Sequence, residues 1–347
     1  MMTGHIIKAD GHDSSKNLAV EEYLFDYVAQ NPCFILYLWQ NHKTVVIGRH
    51  QNAYTECNLD YAETNKIKVV RRKSGGGAVY HDIGNLNYTI ITPRDFYAPD
   101  RSTKLIVTAL WDLGIAAETN SRNDICLRPQ GEKISGNAYR TKDTVGMHHG
   151  TLLFRTDLDE MENVLRVPSD KLIRRGIASV RSRVANVCDY YPSLTLSMIQ
   201  EKIISEFRNE YQLNMIPLTI RPADILPYME PYDKKEWNIG LFRDYDIRLH
   251  KQFAWGYMTI GVTMLGAFPN AICIETDALD VDDVTLLEKT INEEIVNESS
   301  NLLEIFRNNV FRYMKSRVIA DDIVLLFNTA YRDGLIPRNW GDSECMT

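Results

Sequence analysis

Short apolar runs separated by polar turns dominate the first half of the chain, and their lengths are typical of β-strands. The runs CFILYLW (33–39) and TVVIG (44–48) are separated by Asn41, His42 and Lys43, so we interpret them as a β-hairpin. Further strands are predicted at 6–7, 67–70, 86–92, 115–118, 124–127 and 147–154.

Apolar residues at helical spacing lie between several of these strands. Asn17 is the predicted N-cap of a helix over 18–29, and we interpret its Glu21 and Glu22 as a solvated face. Other helices are predicted at 58–65, 101–113, 157–165 and 194–211.

A change of pattern follows the helix at 194–211. Pro217, Pro222, Pro227 and Pro231 cluster there, which is typical of a linker. Near residue 253 the chain resumes with a β-hairpin, and helices are predicted at 282–297, 302–313 and 320–331. We therefore predict a first domain over 1–246 and a small α+β domain over 252–347.

Composition narrows the range of functions. The chain has 347 residues, 44% hydrophobic and 24% charged, and its net charge of −7 argues against general nucleic-acid binding. The six cysteines include no C-x-x-C pair, which favours free thiols in a reducing compartment. The N-terminal stretch lacks a signal-peptide core and no run has the length of a membrane span. We expect a cytoplasmic monomer with no membrane association.

The segment RRKSGGGAVYHDIGNLN (71–87) is the strongest chemical signal in the sequence. Its three consecutive glycines allow a ligand to approach the backbone closely, and exposed N–H groups there can bind phosphate. One of Arg71 and Arg72 can face the same ligand. The spacing matches neither a P-loop nor a dinucleotide fingerprint, and a flexible turn between strands is the structural alternative.

Two later segments add candidate chemistry. In GEKISGNAYR (131–140), strand alternation places Lys133 and Ser135 on one face, where a lysine needs an anionic partner unless it is simply solvated. In MHHGTLLF (147–154), His148 and His149 face opposite ways, which argues against a shared zinc ion. A local basic stretch contains Lys171, Arg174, Arg175, Arg181 and Arg183; it is either an ordinary loop or a docking surface for an acidic partner.

Taken together, these motifs resemble the lipoate–protein ligases. RRKSGGGAVYHDIGNLN, KISGNA and HHGTLL stand in that family's order, accompanied by NLAVEEYL, VVIGRHQN and SVRSRVANV. Trp237 and Gly240 match a segment that precedes the small C-terminal domain in two-domain members, although the residues that follow depart from the usual pattern. The resemblance implies an α+β biotin/lipoate protein ligase fold with a mixed, largely antiparallel sheet, with catalysis in 1–246 and an accessory domain in 252–347.

The resemblance also implies roles for particular residues. Lys133 is the expected catalytic residue, bridging the lipoate carboxylate and the α-phosphate of ATP. The expected phosphate and nucleotide contacts are Arg72, Gly76, Gly77, Ala78, Val79, Tyr80 and Lys133. The expected lipoate contacts are Ser74, Lys133, Ser135, Arg140 and His149, with an apolar slot formed by Leu18, Tyr37 and Val46. Asp124 is the expected magnesium ligand, and Asp82 is the alternative.

The implied reaction has two steps. ATP activates lipoate to lipoyl-AMP. The lipoyl group then passes to a lysine of an acceptor protein, which is either an acidic lipoyl domain of a 2-oxoacid dehydrogenase E2 subunit or the glycine cleavage H protein. The nearest alternative is a lipoyl- or octanoyltransferase that uses a preformed activated donor without ATP. A non-catalytic ligand-binding regulator is the alternative from another class, and a biotin ligase fits the glycine pattern less well.

Overall fold

The computed structural model describes residues 2–120, 124–166, 184–240, 245–266, 268–279, 282–297 and 302–336. The chain forms two compact units, each with its own hydrophobic core. The first unit takes its described residues from 1–47, 53–74 and 78–240, and the second from 48–52, 75–77 and 241–347. The units divide at residue 240, whereas we predicted a domain boundary between 246 and 252. The assignment of independent domains to 1–246 and 252–347 stays a prediction.

The strands of the first unit are β1 (Thr3–Lys8), β2 (Phe34–Trp39), β3 (Thr44–Ile47), β4 (Lys68–Arg71), β5 (Val79–His81), β6 (Asn85–Pro93), β7 (Ala117–Thr119), β8 (Ile125–Leu127), β9 (Lys133–Ser135), β10 (Asn137–Thr141), β11 (Val145–Leu153) and β12 (Asn214–Met215). Its helices are α1 (Ser14–Gln30), α2 (Ala53–Glu56), α3 (Leu59–Thr64), α4 (Pro99–Trp111), α5 (Leu158–Val164), α6 (Val187–Tyr190), α7 (Leu196–Tyr211), α8 (Pro222–Asp233) and α9 (Lys235–Asn238), with a 3-10 turn at Arg94–Phe96.

A six-stranded sheet in the order β10-β11-β6-β2-β1-β12 is the centre of the first unit. The pairs β10–β11, β11–β6 and β6–β2 are antiparallel, whereas β1 pairs in parallel with β2 and β12. Two three-stranded sheets, β4-β3-β5 and β7-β8-β9, accompany it. The sheet is thus mixed and largely antiparallel, and the α+β class is confirmed.

Strand alternation divides the large sheet into two packed faces. Leu36, Leu38 and Ile90 face α4 and α7, where Ile106 and Phe207 complete a core. On the opposite face, a second core joins the sheet to α1 and α8; it contains Ile35, Tyr37, Ile91, Met147, Leu18, Phe25 and Ile225. Leu18, Tyr37 and Val46, which we expected to form an apolar slot, all belong to this second core.

The predicted hairpin of β2 and β3 is wrong. β2 pairs with β1 and β6, whereas β3 pairs with β4 and β5 in another sheet. All four residues of β3 are buried, and its Val45 and Ile47 belong to a separate core with Tyr80. Local sequence shows that both segments are apolar strands, but burial against distant residues decides which strands they pair with.

Two helix predictions also need correction. The N-cap of α1 is Asp13, whose carboxylate accepts from the amides of Ser15 and Lys16, so Asn17 lies inside the helix. The proline cluster is not a linker, because Pro227 and Pro231 lie within α8 and Pro222 begins it. Proline disfavours a helix interior, but α8 buries Ile225 and Tyr232 in the core with α1, and this packing outweighs local propensity.

The second unit is a small α+β structure. An antiparallel sheet of β13 (Ile247–Gln252), β14 (Tyr257–Leu265) and β15 (Phe268–Thr276) precedes α10 (Asp282–Asn297), α11 (Leu302–Tyr313) and α12 (Arg317–Arg332). The predicted hairpin of β14 and β15 is present. Loop residues 48–52 and 75–77 belong to this unit: the Gly76 amide donates to Ala278 O at 2.9 Å, and the Thr276 amide donates to His50 O at 3.0 Å.

Two further observations concern the chain as a whole. Each of the five cysteines within the described ranges is a free thiol, as expected; they are Cys33, Cys57, Cys126, Cys188 and Cys273. Among the helices of those ranges, none is long and apolar enough to cross a membrane.

Candidate functional site

Polar side chains on the two faces of the large sheet include five of the predicted site residues: Arg72, Ser74, Ser135, Arg140 and His149. His149 of β11 and Thr89 of β6 are register partners on the face that packs against α1. Their chain neighbours His148 and Tyr88 point to the opposite face, because adjacent strand residues alternate. The two histidines therefore serve different environments, as predicted.

The first network joins three predicted residues through a carboxylate that sequence reasoning missed. His149 Nδ1 donates to Glu21 Oε1 at 2.8 Å, and His149 Nε2 lies 2.8 Å from Ser74 Oγ. Ser74 Oγ also accepts from Arg72 Nε at 3.0 Å. Thr89 Oγ1 donates to the same Glu21 oxygen at 2.6 Å. The structure thus brings Arg72, Ser74 and His149 together around Glu21.

Glu21 and Glu22 do not form the solvated face we predicted, because both are buried. Burial alone would raise the pKa of Glu21, but His149, Thr89 and Arg140 together hold that pKa below its usual value. The carboxylate therefore stays ionised inside the protein. The sequence signal was the pair of acids within the apolar stretch LAVEEYLF, where solvated residues are not expected.

Arg72 is a buried cation. Burial lowers its pKa to about 10, with Glu21 opposing this change and Arg71 adding to it. Besides Ser74, its guanidinium donates to Val46 O at 3.1 Å. Arg72 is therefore held rigidly on the α1 face of the sheet.

Arg140 lies beside a second buried carboxylate on the same face. Its guanidinium nitrogen Nη1 is 2.7 Å from both oxygens of Glu22, and its guanidinium carbon lies 4.5 Å from the centre of the Phe25 ring. Lys73 Nζ also contacts Glu22, at 3.0 Å. Two cations thus share one buried carboxylate, so the group of Glu22, Arg140 and Lys73 carries a net positive charge.

Lys133 and Asp124 form an ion pair. Lys133 Nζ lies 2.8 Å from Asp124 Oδ1, and the lysine side chain is 28% exposed. The pairing of β8 with β9 is irregular at this point. Gly136 allows the lysine to lie against the backbone, because a Cβ there would be 3.1 Å from Lys133 Nζ. The residues predicted to hold carboxylate, phosphate and metal are therefore neighbours.

The second network, on the α4 face, contains Ser135. Tyr88 Oη donates to Asn137 Oδ1 at 2.6 Å and lies 3.1 Å from Ser135 Oγ. His148 Nε2 donates to the same Asn137 oxygen at 2.8 Å. Burial raises the pKa of Tyr88, so its hydroxyl remains a hydrogen-bond donor. Ser135, predicted to bind lipoate, is fully buried here, with Tyr88 and Asn137 as residues that the sequence did not reveal.

The residues predicted to surround the nucleotide are divided between the units. Ala78 and Val79 are half-buried at the start of β5, and the buried Tyr80 donates its hydroxyl to Glu160. Gly76 and Gly77 belong to the second unit. Gly76 has φ +86°, and the space where a Cβ of Gly77 would project is open. The backbone conformation therefore favours glycine at position 76, whereas the space at position 77 would admit a side chain.

Both predicted magnesium ligands use their oxygens within the fold. Asp124 Oδ1 pairs with Lys133 Nζ at 2.8 Å, and Asp124 Oδ2 accepts from Asn120 Nδ2 at 3.3 Å. Asp82 Oδ1 accepts from the Gly84 amide and Oδ2 accepts from the Asp157 amide, both at 2.8 Å, which accounts for both oxygens within the fold. Over the described ranges, no three His, Cys, Asp or Glu side chains are arranged to share a metal.

The predicted docking surface cannot be placed in the same way, because the basic stretch from Lys171 to Arg183 lies outside the described residues.

Comparison with known proteins identifies the family. The model of the lipoyl protein ligase A/B catalytic domain matches residues 13–208, more than half of the chain. The chain belongs to this family. The range contains α1, the glycine segment, Lys133 and His149, so the resemblance to lipoate–protein ligases and the predicted fold are confirmed.

Three solved structures are similar to this chain. P. falciparum LipL1, in complex with lipoate, has a TM-score of 0.81 at 22% identity, over 94% of this chain and 99% of that one. A bipartite lipoate protein ligase from Thermoplasma acidophilum, described with its E2 lipoyl domain, has a TM-score of 0.61 at 29% identity, over 71% of this chain and 100% of that one. A lipoate–protein ligase A bound with ATP has a TM-score of 0.61 at 28% identity, over 70% of this chain and 100% of that one.

Proposed function

We propose that this protein is an ATP-dependent lipoate–protein ligase that activates lipoate to lipoyl-AMP and transfers the lipoyl group to a lysine of an acceptor protein. Membership of the family supports a lipoate ligase, and a relative 28% identical to this chain is described as bound with ATP. In the first step the lipoate carboxylate attacks the α-phosphate of ATP and pyrophosphate leaves; in the second step the acceptor lysine attacks the acyl carbon and AMP leaves.

The observation that carries the proposal is the contact between Lys133 and Asp124. Adenylation joins two anions, so the site must neutralise charge at the reacting carboxylate and the α-phosphate. A half-buried ammonium can do this, and Asp124 balances its charge in the absence of ligand. Asp124 would also hold Mg²⁺, which binds through one or two carboxylates together with phosphate oxygens.

The remaining roles follow the same proposal. Arg72, Ser74, Ser135, Arg140 and His149 stay the predicted contacts around lipoate and phosphate, and the segment from Gly76 to Tyr80 stays the predicted nucleotide-binding segment. Glu21 would position His149, and Glu22 would position Arg140, since each carboxylate contacts that side chain directly.

The acceptor is proposed from the T. acidophilum relative, which is described with its E2 lipoyl domain. We propose that acidic lipoyl domains, or the glycine cleavage H protein, supply the acceptor lysine to a cytoplasmic, monomeric enzyme. The basic stretch containing Arg174 and Arg175 would attract such an acidic partner.

The test is lipoate-dependent exchange of pyrophosphate into ATP, with magnesium and without an acceptor. We expect exchange by the unaltered chain and a loss of about 10²-fold or more for Lys133→Ala. Lys142→Ala is the matched control, because Lys142, which follows β10, also pairs with an aspartate, Asp26, at 2.8 Å. Near-normal exchange by Lys133→Ala would contradict the assignment of this lysine.

A second assay separates the half-reactions. Folded protein that lacks exchange but transfers the lipoyl group from supplied lipoyl-AMP would be a transferase, and ATP dependence would be refuted.

The double variant Arg174→Glu and Arg175→Glu tests the docking role of the basic stretch. It should slow transfer to an acidic lipoyl domain while leaving pyrophosphate exchange unchanged. An equal effect on both assays would contradict the docking role.

A further inference from the structure

Four polar residues follow the three consecutive glycines within the segment 71–87: His81, Asp82, Asn85 and Asn87. The Asp82 carboxylate is used by the fold, as described above. The other three have no role in the proposed reaction so far, although their side chains are 3%, 0% and 2% exposed. Buried polar side chains need partners, so their hydrogen bonds can be followed atom by atom.

A chain of hydrogen bonds with a defined direction ends at His81. Asn17 Nδ2 donates to the backbone oxygen of Gln40 at 2.9 Å, which determines which end of this amide is nitrogen. The same nitrogen donates to Asn41 Oδ1 at 2.9 Å. Asn41 Nδ2 must therefore donate to His81 Nδ1, at 3.1 Å. Because Nδ1 accepts, the hydrogen of neutral His81 lies on Nε2.

That hydrogen has no acceptor within the described part of the chain, since His81 Nε2 is a buried atom without a partner there. Asn87 Nδ2 is a second such donor. Asn85 Nδ2 donates to Asn87 Oδ1 at 3.0 Å, which leaves Asn85 Oδ1 as a buried acceptor and Asn87 Nδ2 as a buried donor without partners in the described part of the chain. Leaving two buried donors unsatisfied is costly, so each of them requires an acceptor in the folded protein.

The two donors border the same side chain. The His81 ring lies edge-on to the Trp39 ring, with centroids 5.9 Å apart, and Asn87 is the register partner of Trp39. Burial lowers the pKa of His81 to about 3, and the nearby charges of Arg72 and His149 act in the same direction. His81 is therefore neutral near pH 7 and lies within the electrostatic reach of the buried Arg72.

Neutral N–H donors beside a buried guanidinium suit an anionic oxygen. We propose that His81 Nε2 and Asn87 Nδ2 donate hydrogen bonds to an anionic oxygen of the substrate, and that Asn41 acts as a positioning residue that places the hydrogen on Nε2. This inference rests on the proposed function, in which such an oxygen belongs either to the lipoate carboxylate or to a phosphate of ATP.

Calorimetric titration with lipoate and with ATP, each alone, distinguishes the two sources. His81→Leu removes the donor, and we expect it to weaken binding of one ligand by about tenfold or more. His81→Gln retains a side-chain amide donor near the position of Nε2 and should keep most of the affinity. His5→Gln is the matched control, because it replaces a buried histidine of β1 whose Nδ1 donates to the backbone oxygen of Ile216, away from the predicted site residues.

The outcomes are separable. Unchanged affinity of His81→Leu for both ligands, or an equal loss in His81→Gln, would overturn this inference while leaving the proposed function intact. An unaltered protein that binds neither ligand would overturn both this inference and the proposed function.

Nitrogen-15 NMR of the histidine rings needs no variant. The unaltered protein should show the His81 hydrogen on Nε2 and a shift of the His81 signal with the ligand that binds there. A hydrogen on Nδ1 would refute the role of Asn41.

Discussion

Glu21 and Glu22 are adjacent on α1, yet their carboxylates belong to different groups of side chains. Glu21 accepts from His149 and Thr89, whereas Glu22 pairs with Arg140 and Lys73. A buried carboxylate is stable only with such partners, because desolvation penalises its charge. Local periodicity shows two acids on a helix, but their partners come from residues more than fifty positions away in sequence.

Glu21→Gln tests this arrangement at the scale of one residue. The amide keeps the shape but removes the charge that opposes the buried Arg72 and accepts from His149 and Thr89, so the free energy of unfolding should fall by about 1–3 kcal/mol. Urea denaturation at pH 7 measures the change.

Glu210→Gln is the control for Glu21→Gln. Glu210 pairs with Arg101 at the surface, both side chains being 39% exposed, and such pairs contribute less than about 1 kcal/mol. Equal losses of stability in the two variants would show that burial of Glu21 adds nothing.

Among the secondary-structure elements, most strands and helices were predictable, whereas strand pairing was not. The helix before the glycine segment has Asn58 as its cap, and α4 ends before Gly114, which has φ +80°. These signals are local, so they can be recognised in sequence. β3 was predicted as a strand but with the wrong partner, and α8 was predicted as a linker, because their environments are supplied by Tyr80 and by α1.

Gly84→Ala tests packing between elements. A Cβ at Gly84 would lie 2.0 Å from the backbone oxygen of Arg155, which follows β11, so the strand ends must move apart. We expect the free energy of unfolding to fall by about 1–3 kcal/mol, as in overpacked sites. Thermal or urea denaturation measures this loss.

Gly11→Ala is the matched control, because a Cβ there meets no atom within 4 Å. It should change stability by less than about 0.5 kcal/mol. If Gly84→Ala and Gly11→Ala are equally stable, the close approach of the Gly84 backbone to Arg155 is not needed for folding.

At the scale of the whole molecule, three buried groups make stability depend on pH. Burial lowers the pKa of His81 and of His148 to about 3, so the unfolded chain takes up protons below about pH 6.5 that the folded chain does not. The free energy of unfolding should therefore fall as pH drops from 6.5 towards 3, by about 1.4 kcal/mol per pH unit for each histidine. Glu21, whose pKa is lowered, adds a loss in the same direction below about pH 4.5.

His148→Gln provides the measurement. Urea denaturation between pH 6 and 4.5 should show a slope against pH that is smaller by about one proton than that of the unaltered chain. The same slope in both proteins would mean that His148 takes up a proton in the folded state over this range.

Much about this protein was determined by its sequence alone. Helix periodicity, caps, glycine positions and short motifs are local features, and together they indicated the α+β class, the lipoate ligase family and the candidate residues Arg72, Ser74, Lys133 and His149. Tertiary structure alone decided which of these residues meet. The contacts of Lys133 with Asp124, of His149 with Glu21 and of His81 with Asn41 depend on strand pairing and burial, which join residues that are distant in sequence.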